Sequence, residues 1–257
     1  MIEILNPTEL PRAKEAGALV AAILQTMKSR SAVGTNLLEI DGWTREMITG
    51  AGAESCYVDY EPSFGRGPFG HYICTSVNDA VLHGKPYDYA LADGDLLTLD
   101  LAVSLGGVVA DSAISFLVGD AAPAPDDVAM IDATERALSA GIAAAGPGVR
   151  IGDVSHAIGT VLGEAGYQIS TEFGGHGVGS TMHQDPHVPN KGRPGRGYKL
   201  RPGLLLALEP WIMQDTAELV TDADGWTLRS ATGCRTAHSE HTIAITDDGA
   251  EILTLPE

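Results

Sequence analysis

Two apolar segments of the sequence place an acid six positions after a glycine: Gly94-Asp-Leu-Leu-Thr-Leu-Asp100 and Gly203-Leu-Leu-Leu-Ala-Leu-Glu209. Such dense leucine predicts a strand in the middle of a sheet, with the acid at its end. An isolated ionised carboxylate there is costly unless a cation or a hydrogen-bond donor compensates it. For any single acid, the alternative is a strand that ends at solvent.

A second pair of segments opens with an acid: Asp111-Ser-Ala-Ile-Ser-Phe and Glu240-His-Thr-Ile-Ala-Ile. Acids at matched positions indicate an internal duplication, whose pseudo-twofold axis would bring both pairs to one centre. Four carboxylates without four basic neighbours need metal charge. The sequence therefore predicts a site for two divalent ions.

Helical periodicity precedes each group of strands. In the first pair, one helix is predicted from Thr8 onward and a second helix after Gly34. β-like sequence follows over 56–118. The apolar side of the second helix is predicted to include Leu38. This order makes residues 8–120 the first repeat half.

A second pair of helices begins the other half, at about 126–250. Its first helix is predicted from Asp126 to Ala145 with Val128 on the apolar side, and Asp153 is predicted to cap the next helix. β-like sequence runs from Phe173 to the end. The 257 residues are thus predicted to form a single α+β domain, 1–257.

The charge and the cysteine content of the chain argue against several classes of protein. The chain has 16 Lys and Arg against 34 Asp and Glu, a formal charge of −18, so direct nucleic-acid binding is not expected. Three cysteines without a CxxC motif argue against a disulfide framework or a zinc ribbon and favour the cytoplasm. No signal peptide or membrane span is predicted.

Histidine supplies a further candidate ligand. His176 lies in Gly174-Gly-His-Gly-Val-Gly179, where the backbone can approach a site closely, and His183 follows seven residues later. A histidine with an ordinary structural role is the alternative. One His with four carboxylates suits Mn, Fe or Co at least as well as Zn.

Six segments in this order resemble type I methionine aminopeptidases of the pita-bread metallopeptidase fold. They are Ser76-Val-Asn-Asp-Ala-Val-Leu-His-Gly84, Gly94–Asp100, Asp111-Ser, Gly175–His183, Leu208-Glu-Pro210 and Glu240-His-Thr-Ile. The resemblance covers nearly the whole chain. It implies pseudo-twofold helix-helix-strand units with a curved antiparallel sheet covered by helices.

The resemblance also implies a role for each metal-binding position. Asp100 would chelate one metal, and Asp111 and Glu240 would bridge the pair. His176 and Glu209 would complete the ligand set of the other metal. The resemblance therefore implies two divalent ions, which would be Co, Mn, Fe or Zn. Glu209 would in addition accept and return a proton.

Substrate contacts are implied in the same way. His83 and His183 match the two substrate-contacting, catalytic histidines of the family. Cys74 and Phe69 match positions that line the pocket for the methionine side chain, and Trp226 matches an aromatic residue near its rim.

The implied activity is removal of the initiator methionine from nascent proteins when the second residue is small, by a metal-bridged hydroxide that attacks the scissile carbonyl. The implied partners are nascent N-termini, met transiently at the ribosome by a monomer. Alternatives are an Xaa-Pro aminopeptidase or a catalytically dead binding homologue. Three departures from the family affect fine specificity: His238 replaces Gln, Gln184 replaces Glu, and Arg66 replaces an aromatic residue.

Overall fold

Two pairs of helices, each followed by strands, make up the computed structural model, which describes residues 2–63 and 65–256. The helices are α1 (Leu10–Arg30), α2 (Leu37–Gly50), α3 (Pro125–Ala144) and α4 (Ile151–Glu164). The strands before α3 are β1 (Glu54–Ser55), β2 (Cys74–Val77), β3 (Ala80–Leu82), β4 (Leu96–Leu105) and β5 (Val108–Leu117). The strands after α4 are β6 (Gly174–Val178), β7 (Gln184–Pro189), β8 (Leu205–Leu208), β9 (Trp211–Met213), β10 (Leu219–Thr221), β11 (Leu228–Ser230), β12 (Thr236–His238), β13 (Glu240–Ile245) and β14 (Ala250–Ile252).

The main sheet is antiparallel and joins the two halves of the chain. Its strand order is β1-β4-β5-β13-β8-β6-β7, with β2 also paired to β4 and β14 paired to β13. Strands β5 and β13 pair at the centre, so the first-half strands lie on one side and β8, β6 and β7 on the other. Two smaller sheets, β10-β11-β3 and β12-β9, carry the remaining strands.

One face of the main sheet is buried under the helices. Leu97, Leu99 and Leu101 of β4 pack in one cluster with residues of α1 and α2, and Leu206 and Leu208 of β8 pack in another with residues of α3 and α4. Because side chains alternate along a strand, the residues between these leucines point to the opposite face. That face contains the predicted site.

Two of the four acids lie at positions in the strands other than those predicted. Asp100 lies in the middle of β4 and Asp111 is the fourth residue of β5, because the two strands run on to a hairpin at Gly106 and Gly107, both with positive φ. Glu209 does follow the last residue of β8, and Glu240 does open β13. All four belong to the main sheet or directly follow one of its strands.

Three details of the helix predictions are wrong. Helix α4 begins at Ile151 with Arg150 as its N-cap, and Asp153 is its third residue, where it accepts a hydrogen bond from the Arg150 amide at 3.0 Å. Leu38 and Val128 are exposed, because the buried sides of α2 and α3 are centred on neighbouring positions, among them Ile40.

The segment 56–73 was predicted to be β-like, but its described residues form turns. Pro62 and Pro68 cannot donate to a strand ladder, and Gly67 and Gly70 adopt positive φ. The segment folds across the sheet face that carries the acids. Within the described residues, no helix is long and apolar enough to cross a membrane.

Two helical glycines should respond in opposite ways to alanine. A Cβ at Gly17 of α1 would overlap the carbonyl group of Leu253, so Gly17→Ala should lower the free energy of unfolding by about 1–3 kcal/mol. Gly42 in α2 has open space around it, so Gly42→Ala should raise that free energy by about 0.5–1 kcal/mol through helix propensity. Urea denaturation of both variants measures the difference, and equal effects would contradict the packing described.

Candidate metal centre and substrate pocket

The register of the sheet brings three of the acids onto one face. Ala113 of β5 pairs with Asp100 on one side and with Glu240 on the other. Asp111 stands two residues before Ala113 and therefore points in the same direction. Three carboxylates from three adjacent strands thus converge.

The second half of the chain adds two more ligand candidates to this face. His241 pairs with Leu208, so Glu209 follows next to Glu240. His176 pairs with Ala207, which shares its face with Glu209. The five predicted metal ligands are therefore neighbours, although they come from segments far apart in the sequence.

Distances show how closely the side chains approach one another. The Nε2 atom of His176 lies 3.7 Å from Glu209 Oε1 and 3.9 Å from Asp111 Oδ2. One ligand atom each from Asp111, His176 and Glu240 fall within 4.8 Å of one another, and all three residues are buried. The Asp100 carboxylate accepts a hydrogen bond of 2.6 Å from the Tyr57 hydroxyl.

Burial makes this cluster electrostatically unfavourable. It raises the pKa of Asp100 to about 6, and burial followed by the neighbouring carboxylates raises the pKa of Asp111, Glu209 and Glu240 well above the ordinary range. Among the ion pairs of the described residues, none joins one of these four acids to Lys or Arg. Basic side chains within residues 2–63 and 65–256 therefore supply no compensating positive charge to the cluster through an ion pair.

The nearby histidines do not supply that charge. Desolvation lowers the pKa of His176 and of His238 to about 3, so both are neutral at neutral pH. His238 Nε2 lies 3.9 Å from a carboxylate oxygen of both Glu209 and Glu240, and neither ring nitrogen of this buried side chain has a hydrogen-bond partner among the described residues. Neutral imidazole beside uncompensated carboxylates fits the coordination chemistry of divalent cations.

The two other histidines border the space beside the acids. The Nδ1 atom of His183 lies 2.7 Å from the Tyr60 hydroxyl, and its ring is 4.3 Å from the His176 ring, centroid to centroid. His83 follows β3 with a φ of 56°, a strained conformation for a residue other than glycine. Its ring meets Trp226 edge-on.

An apolar pocket adjoins the acids. Phe69, Cys74 and Trp226 are buried in its walls, with the Phe69 and Trp226 rings in edge contact at 5.2 Å. The Trp226 indole N–H donates to the Gly67 carbonyl at 3.2 Å. The structure thus brings all predicted pocket residues to one cavity with the predicted ligands.

Sequence reasoning missed Tyr57, Tyr60 and Met182, which also line this cavity. No periodic pattern marks the two tyrosines, since they lie in the irregular segment 56–73. The adjacency of Met182 to His183 in the sequence was the only available signal for the third residue.

The family model for metallopeptidase family M24 matches residues 12–247. The chain therefore belongs to metallopeptidase family M24, and its full-length relatives there are methionine aminopeptidases. It is 42% identical over 254 residues to methionine aminopeptidase 1 of Mycobacterium tuberculosis, covering 96% of this chain and 92% of the relative. The predicted family is confirmed.

Solved structures support the same conclusion for the fold. The methionine aminopeptidase of Thermotoga maritima superposes with a TM-score of 0.93 at 34% identity, with 100% of both chains covered. This confirms the predicted pita-bread fold. The prolidase of Pyrococcus furiosus, at 18% identity and a TM-score of 0.77, matches 99% of this chain but only 66% of its own length, and shares the fold alone.

Metal should stabilise this protein by removing the repulsion among the acids. Adding Mn²⁺ at about 100 times its Kd to chelator-stripped protein should contribute about 2.7 kcal/mol. For a chain of this size that corresponds to a Tm increase of about 5–10 °C. Asp111→Asn should raise the Tm of the stripped protein, because it removes a buried charge, and should abolish most of the increase caused by metal.

Differential scanning calorimetry gives both quantities. Asp132→Asn is the matched control, because Asp132 forms an exposed ion pair with Arg136 away from the cluster. It should keep the full metal-induced increase. An undiminished increase in Asp111→Asn would contradict the placement of the metal site.

Proposed function

We propose that this protein is a methionine aminopeptidase that removes the initiator methionine from nascent proteins when the second residue is small. The observation that carries the proposal is the buried group of Asp111, His176 and Glu240, in a chain that matches methionine aminopeptidases over its full length. The coarser conclusion, that its substrates are protein N-termini, follows from the same relatives.

The proposed cofactor is a pair of divalent ions, Co, Mn, Fe or Zn. Asp100, Asp111 and Glu240 would hold one ion, and Asp111, Glu240, His176 and Glu209 the other. When bound, the ions supply Lewis acidity towards water and towards the substrate carbonyl at neutral pH. The Tyr57 hydroxyl, whose pKa burial raises well above its ordinary range, keeps its proton and orients the Asp100 carboxylate.

Glu209 is proposed as the proton carrier. Its carboxylate faces the cavity beside His176, and the Asn190 side chain holds its backbone by donating to the Glu209 carbonyl at 3.0 Å. A carboxylate fixed at this position can take a proton from the attacking water and return it to the leaving amine.

His183 is proposed to stabilise the oxyanion. Burial raises the pKa of Tyr60, so its hydroxyl keeps its proton and can donate it to His183 Nδ1. That hydrogen bond leaves the imidazole proton on Nε2, free to be donated to the carbonyl oxygen as negative charge develops. Desolvation lowers the pKa of His183 to about 4, so the ring acts as a neutral donor.

His83 and the apolar pocket are proposed to position the substrate. His83 is neutral, because desolvation followed by the nearby His183 lowers its pKa to about 4, and it would hold the scissile peptide nitrogen. The methionine side chain would lie among Phe69, Cys74 and Trp226. A thioether packs favourably against aromatic rings, which suits methionine.

The cellular setting is part of the proposal. Nascent N-termini emerge in the cytoplasm, so we propose cytoplasmic action, transient association with the ribosome and a monomeric enzyme. We also propose a single catalytic domain, 1–257, with repeat halves at 8–120 and 126–250, supported by the recurrence of two helices followed by strands.

The two alternatives, an Xaa-Pro aminopeptidase and a catalytically dead binding homologue, have less support. The similarity to the prolidase extends to the fold alone. A catalytically dead homologue is expected to lose metal ligands, whereas Asp111, His176 and Glu240 are all present here as a group.

Peptide specificity tests the proposed activity. Met-Ala-Ser should be cleaved at least 100-fold more efficiently than Met-Lys-Ser, measured as kcat/KM by release of methionine with Mn²⁺ present, because the family relationship implies a cramped site for the second side chain. Leu-Pro-Ser is the control for Xaa-Pro activity. Equal turnover of the two methionine peptides, or preferred cleavage before proline, would refute the proposal.

Variants of Asp100 and His183 separate metal binding from oxyanion stabilisation. Asp100→Asn should weaken metal binding, because it removes a charge from the chelating set. His183→Ala should keep the metal stoichiometry and lower kcat by about 10²–10³-fold, the usual cost of one oxyanion donor. Calorimetric metal titration with steady-state kinetics measures both.

Tyr60→Phe is the conservative companion to His183→Ala. It keeps the ring and removes the hydroxyl that sets the His183 tautomer, so kcat should fall by a smaller factor than in His183→Ala, with metal binding unchanged.

Two outcomes would contradict the roles assigned to Asp100 and His183. One is loss of metal binding in His183→Ala, and the other is normal turnover in Asp100→Asn.

A further inference from the structure

A buried histidine to which the proposed mechanism gives no role faces the candidate metal centre. His238 is the last residue of β12 and is only 2% exposed. It stands two positions before Glu240, where the sequence departs from the family it resembles, which has Gln there. A buried polar ring is costly unless its nitrogens are satisfied, so the surroundings of this side chain indicate what it does.

Backbone contacts fix His238 over the face of the sheet that carries the acids. Its amide donates to the Ser115 hydroxyl at 2.9 Å, and the same hydroxyl donates to the His238 carbonyl at 2.7 Å. Ser115 lies four residues after Asp111 on β5, and side chains four residues apart on a strand point to the same face. His238 also pairs with Trp211 of β9, the strand that follows Glu209 after one intervening residue. These contacts place β12 beside the proposed metal ligands.

The ring of His238 points at two of those ligands. Its Nε2 atom lies 3.9 Å from Glu209 Oε2 and 3.9 Å from Glu240 Oε2. Both distances exceed the roughly 2.7–3.2 Å of an N–H···O hydrogen bond. Two atoms that bind one divalent ion at about 2.0–2.2 Å lie roughly 3–4.2 Å apart, depending on the angle between them. The spacing therefore fits a shared cation and not a hydrogen bond.

His176, which is proposed as a metal ligand, shows the same spacing. Its Nε2 atom lies 3.7 Å from Glu209 Oε1 and 3.9 Å from Asp111 Oδ2. Glu209 thus presents one carboxylate oxygen to each of the two histidines. His238 is about as close to its carboxylates as His176 is to its own, and it is more deeply buried, at 2% exposure against 8%.

The His238 ring lacks a hydrogen-bond partner among residues 2–63 and 65–256. Neither Nδ1 nor Nε2 donates or accepts a bond there, although both atoms are shielded from solvent. His241 on β13 differs in this respect, because its Nδ1 atom lies 2.8 Å from the Thr254 hydroxyl. A hydrogen bond of that kind fixes a histidine with an ordinary structural role, and it does not account for His238.

We propose that His238 is an additional ligand of the metal centre, binding through Nε2 a divalent ion that Glu209 and Glu240 also bind. The inference rests on the proposed two-ion site and adds a sixth protein ligand to it. The geometry carries it: the ring is buried, fixed at its backbone and directed between two carboxylates.

A second imidazole would change which metals the centre prefers. Carboxylate oxygens suit Mn²⁺, whereas imidazole suits Zn²⁺ and Fe²⁺. Glutamine at position 238 would offer an amide oxygen in place of the ring nitrogen. We therefore expect the site to favour Zn²⁺ over Mn²⁺ more strongly than the same site with glutamine at this position.

A pair of histidine variants tests this preference. His238→Gln keeps a polar side chain and exchanges the ring nitrogen for an amide oxygen. His241→Gln is the matched control, because His241 follows Glu240 on β13 and its side chain points to the opposite face, away from the acids. Both variants remove one histidine and leave the five other proposed ligands in place.

Calorimetric titration of chelator-stripped protein measures the effect. In His238→Gln the affinity for Zn²⁺ should fall by about 100-fold, since even the groups that support a metal ligand are worth roughly 10–100-fold. The affinity for Mn²⁺ should fall by about tenfold at most, because oxygen donors suit this ion. His241→Gln should bind both metals as the wild type does.

A crystal structure of the zinc-loaded wild type shows the coordination directly. An anomalous peak at the zinc absorption edge should lie about 2.0–2.1 Å from His238 Nε2 and should also contact Glu209 or Glu240. This measurement does not depend on the folding of any variant.

Unchanged metal affinities in His238→Gln, or equal losses for the two metals, would overturn the inference. So would zinc peaks that all lie more than about 3 Å from His238 Nε2. Turnover of Met-Ala-Ser by the wild type is measured in parallel. An active enzyme whose ions contact only the five other ligands would overturn this inference and leave the proposed function standing. A wild type that binds zinc at His238 but cleaves no methionine peptide would refute the proposed function alone.

Discussion

Four carboxylates share one face of the central sheet, and no Lys or Arg of the described part of the chain forms an ion pair with them. Burial raises the pKa of each, and the histidines beside them are neutral because desolvation lowers their own pKa. An arrangement that costs this much without a ligand is expected where charge must be supplied from outside. The cluster of Asp111, His176 and Glu240 is the place where a divalent cation would supply it.

The pairing of strands in the main sheet is what brings these carboxylates together. Pairing of β5 with β13 joins the two halves of the chain, and the register places Asp100 and Glu240 on either side of Ala113. Helices cover the opposite face, where the leucines of β4 and β8 are buried. The same alternation along each strand therefore places the core on one side of the sheet and the candidate metal centre on the other.

The sequence predicted the parts of the site that violate a local rule. An acid within a run of leucines is costly, so Asp100 and Glu209 stood out, whereas Tyr57 and Tyr60 lie in a turn-rich segment whose path depends on tertiary packing. The prediction that Val128 lies on the buried side of α3 was wrong for a similar reason. The neighbouring elements determine which side of α3 faces the sheet, and Val128 is exposed.

The anomalous scattering of manganese tests the central claim most directly. Crystals grown from chelator-stripped protein and soaked in MnCl₂ should give two anomalous difference peaks, both in contact with the group formed by Asp100, Asp111, His176, Glu209 and Glu240. Crystals of the Asp111→Asn variant treated in the same way should lose at least one of them. An absence of peaks at this cluster, or peaks bound only by other residues, would contradict the account.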